Sequence, residues 1–195
     1  MFLKGAGFKK LLKEAYNGGG LRVGNDGQGI FLYGGYWGVW IKQGCIPKKE
    51  LAAIIELTGE IPETGKAFKS TKSGNQYELE DNPLYKAMEN ARQCSTYLRV
   101  TKLAFCYPSG IKARILQNTA SGEIHLVNEK FIEMVSSEEA EFDKGETAAA
   151  GPVVGPFPGV FWFNNVMALH VMTRTDEDAK ETIKHLEMIE IAEQK

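Results

Sequence analysis

Apolar residues recur at Phe8, Leu11, Leu12 and Ala15, the i, i+3, i+4, i+7 spacing that gathers side chains on one face of a helix. The spacing predicts a helix over 7–16. Lys9, Lys10 and Lys13 then occupy the wet face, Lys4 precedes it, and Asn17 with Gly18 terminates it. The pattern next shortens to runs of branched and aromatic residues at 21–23, 30–33 and 36–41. Asn25-Asp26-Gly27 and Gly34-Gly35 separate them and favour tight turns, so a three-stranded meander is expected. A second helix is expected over 47–57, with Pro47 at its start and Leu51, Ile54, Ile55 and Leu57 buried.

Residues 60–82 are polar, and Lys72-Ser73-Gly74-Asn75 reads as the tip of a small hairpin between 67–71 and 76–79. Asn82 is expected to cap a short helix over 83–93. Strands are expected at 97–107, 111–117 and 123–127, then a helix over 129–136 capped by Asn128 with Phe131, Ile132 and Val135 inward. The stretch 136–159 reads as a flexible loop, acidic at first and then rich in Ala, Gly and Pro. Strands at 160–163 and 166–173 follow. The last helix is expected over 176–192, with Thr175 and Asp178 as a capping box. No internal repeat is visible by identity. The fold class expected is α+β, antiparallel sheets with helices on one face, in a single domain 1–195 carrying an insertion at 45–95.

Composition changes this picture little. With 43% hydrophobic and 25% charged residues, the chain resembles ordinary globular proteins, which excludes wholesale disorder. The most apolar stretch, 153–172, is interrupted by Pro156, Pro158, Asn164, Asn165 and His170, so no membrane association is expected. Cys45, Cys94 and Cys106 are odd in number and form no CxxC pair. They read as reduced thiols of a cytoplasmic protein. Charge is uneven: residues 1–110 carry 15 Lys+Arg against 10 Asp+Glu, and residues 111–195 carry 8 against 15. A basic surface for a polyanion fits that polarity.

Few residues suggest catalysis. The glycines lie between strands and are followed by neither a P-loop Lys-Ser nor a dinucleotide fingerprint. His125, His170 and His185 lack metal-ligand spacing, so no metal or other cofactor is expected. Cys106 with His125 or His170 is a candidate nucleophile–base pairing. Glu138, Glu139, Glu141, Asp143 and Glu146 read as a solvated face. The basic residues are the stronger signal. Lys4, Lys9, Lys10 and Lys13 on the first helix, with Lys66, Lys69 and Lys72 in the hairpin region, suit a phosphate backbone. Phe31, Tyr33, Tyr36, Trp37 and Trp40 are dense enough either to stack bases or to pack a core.

The order of elements resembles a known family. A helix followed by three strands occurs early, and strand, helix and strands recur late. The run Ile124-His125-Leu126-Val127-Asn128-Glu129-Lys130-Phe131-Ile132 is similar to the strand-to-helix entry of DNA sliding-clamp domains, the polymerase processivity factors. Pro152-Val153 through Ala168-Leu169-His170-Val171-Met172 is similar to their closing hairpin. The resemblance implies a doubled β-α-β-β-β plan with the lysines of helix 1 facing DNA. It further implies a non-enzymatic module that encircles or docks, with DNA or a replication protein as partner. Two other readings stand beside it. One is a protein-interaction or assembly module that self-associates without nucleic acid. The other is an enzyme centred on Cys106, His125 and His170.

Overall fold

The computed structural model describes residues 1–78, 89, 92–136, 138–155 and 158–187. The helix expected over 83–93 and the far end of the last helix lie outside the described residues, save for single positions.

The first helix, α1 (Gly5–Asn17), buries Phe8, Leu11, Leu12 and Ala15, the four residues its periodicity selects. The meander follows as β1 (Leu21–Asn25), β2 (Gly29–Tyr33) and β3 (Trp37–Lys42). Helix α2 (Lys48–Thr58) starts after Pro47 and turns Ile54, with Glu50 and Thr58, inward. Ile55, expected to be buried, is exposed, because the inward stripe runs through 50, 54 and 58. The expected insertion then adds β4 (Lys66–Thr71) and β5 (Gly74–Glu78) to the sheet.

A second, smaller sheet contains β6 (Arg99–Cys106), β7 (Lys112–Gln117) and β8 (Ile124–Asn128). Helix α3 (Glu129–Met134) leaves β8 directly, with the Asn128 side chain accepting from the Lys130 amide. Strands β9 (Ala150–Val154), β10 (Val160–Phe163) and β11 (Met167–Val171) return to the large sheet. Part of the stretch read as loop over 136–159 is therefore strand. Pairing with β10, which lies beyond the loop, makes β9 a strand despite its poor local propensity. Helix α4 (Glu177–Leu186) is capped by Asp176, whose side chain accepts from the Ala179 amide; Thr175 does not cap it.

Among the described residues all pairings are antiparallel, and the large sheet has eight strands in the order β5-β4-β1-β2-β3-β11-β10-β9. This is the α+β architecture expected. At its centre the structure reveals the repeat that residue identity conceals. Aligning Gly29 with Gly159 pairs β2-β3 with β10-β11, and the registers coincide: Ile30↔Ile41 answers Val160↔Val171, and Leu32↔Val39 answers Trp162↔Leu169. Where the halves meet, Val39 faces Leu169, Trp37 faces Val171 and Ile41 faces Met167. The Lys42 amide donates to the Val166 carbonyl at 2.8 Å, and the Met172 amide donates to Tyr36 at 2.9 Å. Those are the same bond related by a local two-fold axis through the Val39–Leu169 pair. In the aligned hairpins only Gly29/Gly159 and Phe31/Phe161 are identical. What persists is hydrophobic alternation, which packing demands and identity does not.

The doubling fixes the layers. Leu21, Val23, Leu32, Val39, Trp162, Leu169 and Val171 point to one side of the sheet and share a core with Phe8, Leu11 and Leu12 of α1 and Phe131 and Met134 of α3. Leu116 and Val127 bring the small sheet into that core, while its far side packs on Ala179, Ile183 and Leu186 of α4. Phe31, Trp40, Phe161 and Ala168 form a second cluster on the other side of the large sheet. Phe31, Trp37 and Trp40 are thus core residues and closed to base stacking.

Candidate functional site

Helices α1 and α3 lie side by side. Lys130 Nζ of α3 sits 3.0 Å from Glu14 Oε2 of α1, and Gly7 leaves room for Met134, whose Cγ would be 3.0 Å from any Cβ there. Below them Leu3 bridges Val135, and the Lys4 amide donates to the Met134 carbonyl at 2.9 Å. A furrow of about 530 Å³ runs between the helices, lined by Lys4, Lys10, Glu14, Lys130 and Glu133 with the apolar Leu11 and Met134 beneath.

The furrow continues through Glu14 and Lys130 into a second hollow of about 440 Å³ at the rim of the sheet. Here β1 begins and β2 ends. Arg22 and Lys69 face each other across the β1–β4 ladder, and Tyr33 lies opposite Arg22 on β2. Lys69 reaches the rim by passing over Gly20, where a Cβ would come within 2.6 Å of its Cε. Tyr36 stands on the β2–β3 turn with 73% of its surface exposed. Along the two hollows the described residues place Lys4, Lys10, Lys130, Lys69 and Arg22 beside Glu14 and Glu133.

No family model matches the chain, and neither a curated protein nor a solved structure matches it. The site therefore rests on its own geometry.

The sequence-selected lysines divide. Consecutive helical residues are about 100° apart, so three lysines at 9, 10 and 13 cannot share one line. Lys9 turns toward α2, 4.0 Å from Glu50 Oε1, and Lys10 turns toward α3. Lys4, Lys10 and Lys13 are exposed and form no salt bridge among the described residues. Lys66 is held 2.6 Å from Glu63, and Lys72 stands at the β4–β5 turn away from both hollows. Lys69 alone of its group joins the site. Arg22 escaped sequence reasoning, and Tyr36 entered it only as one member of the aromatic cluster. Arg22 alternates with buried Leu21 and Val23, which marks it as outward-facing, but nothing local places it beside Lys69.

Cys106, His125 and His170 are not brought together. Cys106 lies opposite Lys112 on β7 and His125 opposite Leu116, about 13 Å apart along that strand at its usual rise. His170 belongs to the other sheet, its ring 4.6 Å from that of Phe161. The acidic loop is likewise not wholly solvated. Glu146 is buried, accepting from the Glu141 amide at 2.9 Å, from Asn164 Nδ2 at 3.0 Å and from the Met1 ammonium at 2.6 Å. Burial works to raise its carboxyl, and these donors outweigh it, leaving the pKa below the ordinary value.

Burial pushes the His170 imidazole down to about 4. Between about pH 6.5 and 4 the unfolded chain takes up a proton there that the folded chain does not. This contribution to stability is complete above pH 6.5 and declines as the pH falls toward 4. His170→Phe keeps an aromatic ring against Phe161 and removes the titration. The urea midpoint of the variant is expected to fall less between about pH 7 and 5, sparing about 2 kcal/mol. Parallel declines in parent and variant would place the acid sensitivity elsewhere.

Proposed function

We propose that this chain is a non-enzymatic nucleic-acid-binding module that docks a phosphate backbone along the α1–α3 furrow. The observation that carries the reading is the convergence of Lys4, Lys10, Lys130, Lys69 and Arg22 on one continuous groove, drawn from α1, α3, β4 and β1. Cations gathered along a line attract a polyanion and release its condensed counterions. The twofold arrangement of the sheet, with paired helices on one side, agrees with the plan that the resemblance to sliding-clamp domains implies. Under this reading the lead helix meets the backbone with Lys4 and Lys10, while Lys9 stays with Glu50.

The test is a titration with fluorescent 20-nucleotide single-stranded and duplex DNA across a salt series. Binding of either that weakens steeply with salt is expected. Absence of retention at low salt would end the proposal. The assembly alternative would instead draw on β6, an outer strand of the small sheet that exposes Val100 and Leu103.

A further inference from the structure

The hollow at the sheet rim is more than a continuation of the furrow, because it combines cations with aromatic surface. We infer that it is a nucleotide subsite that takes one unpaired base with its phosphate, so that the preferred ligand is single-stranded nucleic acid. The inference rests on the docking proposal and names the class of strand that the groove accepts.

Four observations carry it. The hollow, about 440 Å³, has the volume of a small-ligand site. Its lining includes Gly19, Gly20, Gly34 and Gly35; Lys69 covers Gly20 and Trp37 covers Gly34, but around Gly19 and Gly35 no atom of the other described residues lies within 4 Å of where a Cβ would stand. Space that side chains would ordinarily fill is therefore open to a planar ring. Tyr33 and Tyr36 line it, and Tyr36 presents most of its ring to solvent on a turn, where a large aromatic has no core to join. Arg22, Lys69 and Lys130 line it, with Glu14 as the one carboxylate among the described residues, 3.0 Å from Lys130.

An aromatic face beside several cations suits a base joined to a phosphate, since every base offers a π-face and every linkage a negative charge. Paired bases are stacked inside the duplex and cannot reach such a hollow without being unstacked. A single strand lying in the furrow can turn one base into it.

The experiment compares Tyr36→Ala, Tyr36→Phe and Lys69→Ala in the full chain, using the same single-stranded and duplex 20-mers and a free mononucleotide. Tyr36→Ala is expected to weaken single-strand binding about tenfold and leave duplex binding unchanged, with Tyr36→Phe restoring it. Lys69→Ala is expected to weaken both ligands. Mononucleotide competition that depends on Tyr36 supports the subsite as well. Equal binding of both DNA forms, unaffected by Tyr36→Ala, would overturn the subsite and leave backbone docking intact. Failure of the parent chain to bind either form would overturn both.

Discussion

Changing Lys4, Lys10 and Lys69 together to glutamate is expected to lower oligonucleotide affinity at least ~100-fold at low salt. The three residues supply three of the five cations that the described residues place in the groove, and none of them forms a salt bridge among the described residues. Each lost phosphate contact is also expected to reduce the slope of log affinity against log salt by about 0.7 for a single strand or 0.9 for a duplex. The control is Lys66→Glu, Lys144→Glu and Lys180→Glu, which lowers net charge by the same amount. Those lysines are exposed and already paired with Glu63, Glu141 and Glu177. Breaking such surface pairs costs little, about 1 kcal/mol each at most. The control is expected to bind within a few-fold of the parent. Equal losses in the two triple variants would mean that overall charge, and not this groove, determines retention.

The second large effect concerns the repeat that sets the helices side by side. Gly29 and Gly159 occupy equivalent positions, and each is covered by the ring of the residue two before its cross-strand partner. At Gly29 a Cβ would lie 2.4 Å from the Ile41 carbonyl oxygen and 2.6 Å from the Trp40 ring. At Gly159 it would lie 2.5 Å from the Val171 oxygen and 2.3 Å from His170 Nε2. Backbone cannot retreat as a side-chain tip can, so the clash must bend the ladder. Gly29→Ala and Gly159→Ala are each expected to cost about 3 kcal/mol, read as a lowered urea midpoint. Gly19→Ala, with open space around it, is expected to be neutral or slightly stabilising. If the two interior variants matched Gly19→Ala, the close twofold packing would be wrong.

Much of this fold was legible because its local signals agree. The α1 stripe, the Asn25-Asp26-Gly27 turn, the strand at 160–163 and the Asn128 cap stand where periodicity and turn chemistry put them. What failed was long-range. Strand β9 depends on β10 across a proline-containing loop, and Ile55 is exposed because α2 packs through Glu50, Ile54 and Thr58. The repeat was invisible because Gly34-Gly35 became Asn164-Asn165, which serve the turn differently. Asn164 Oδ1 accepts from the Val166 and Met167 amides, and Asn165 Nδ2 donates to the Gly145 carbonyl. The site shows the same division. Lys4 and Lys10 were visible as wet-face cations, whereas Arg22, Lys69 and Tyr36 meet only through pairings made across the chain.

Lysine footprinting locates the bound strand directly. The rate of acetylation at each lysine is measured by mass spectrometry with and without a single-stranded oligonucleotide. Protection of Lys4, Lys10, Lys69 and Lys130 is the expected result, with Lys66, Lys144 and Lys180 reacting as before. Protection centred on those outlying lysines, or none anywhere, would contradict the assignment of a phosphate track to the α1–α3 groove.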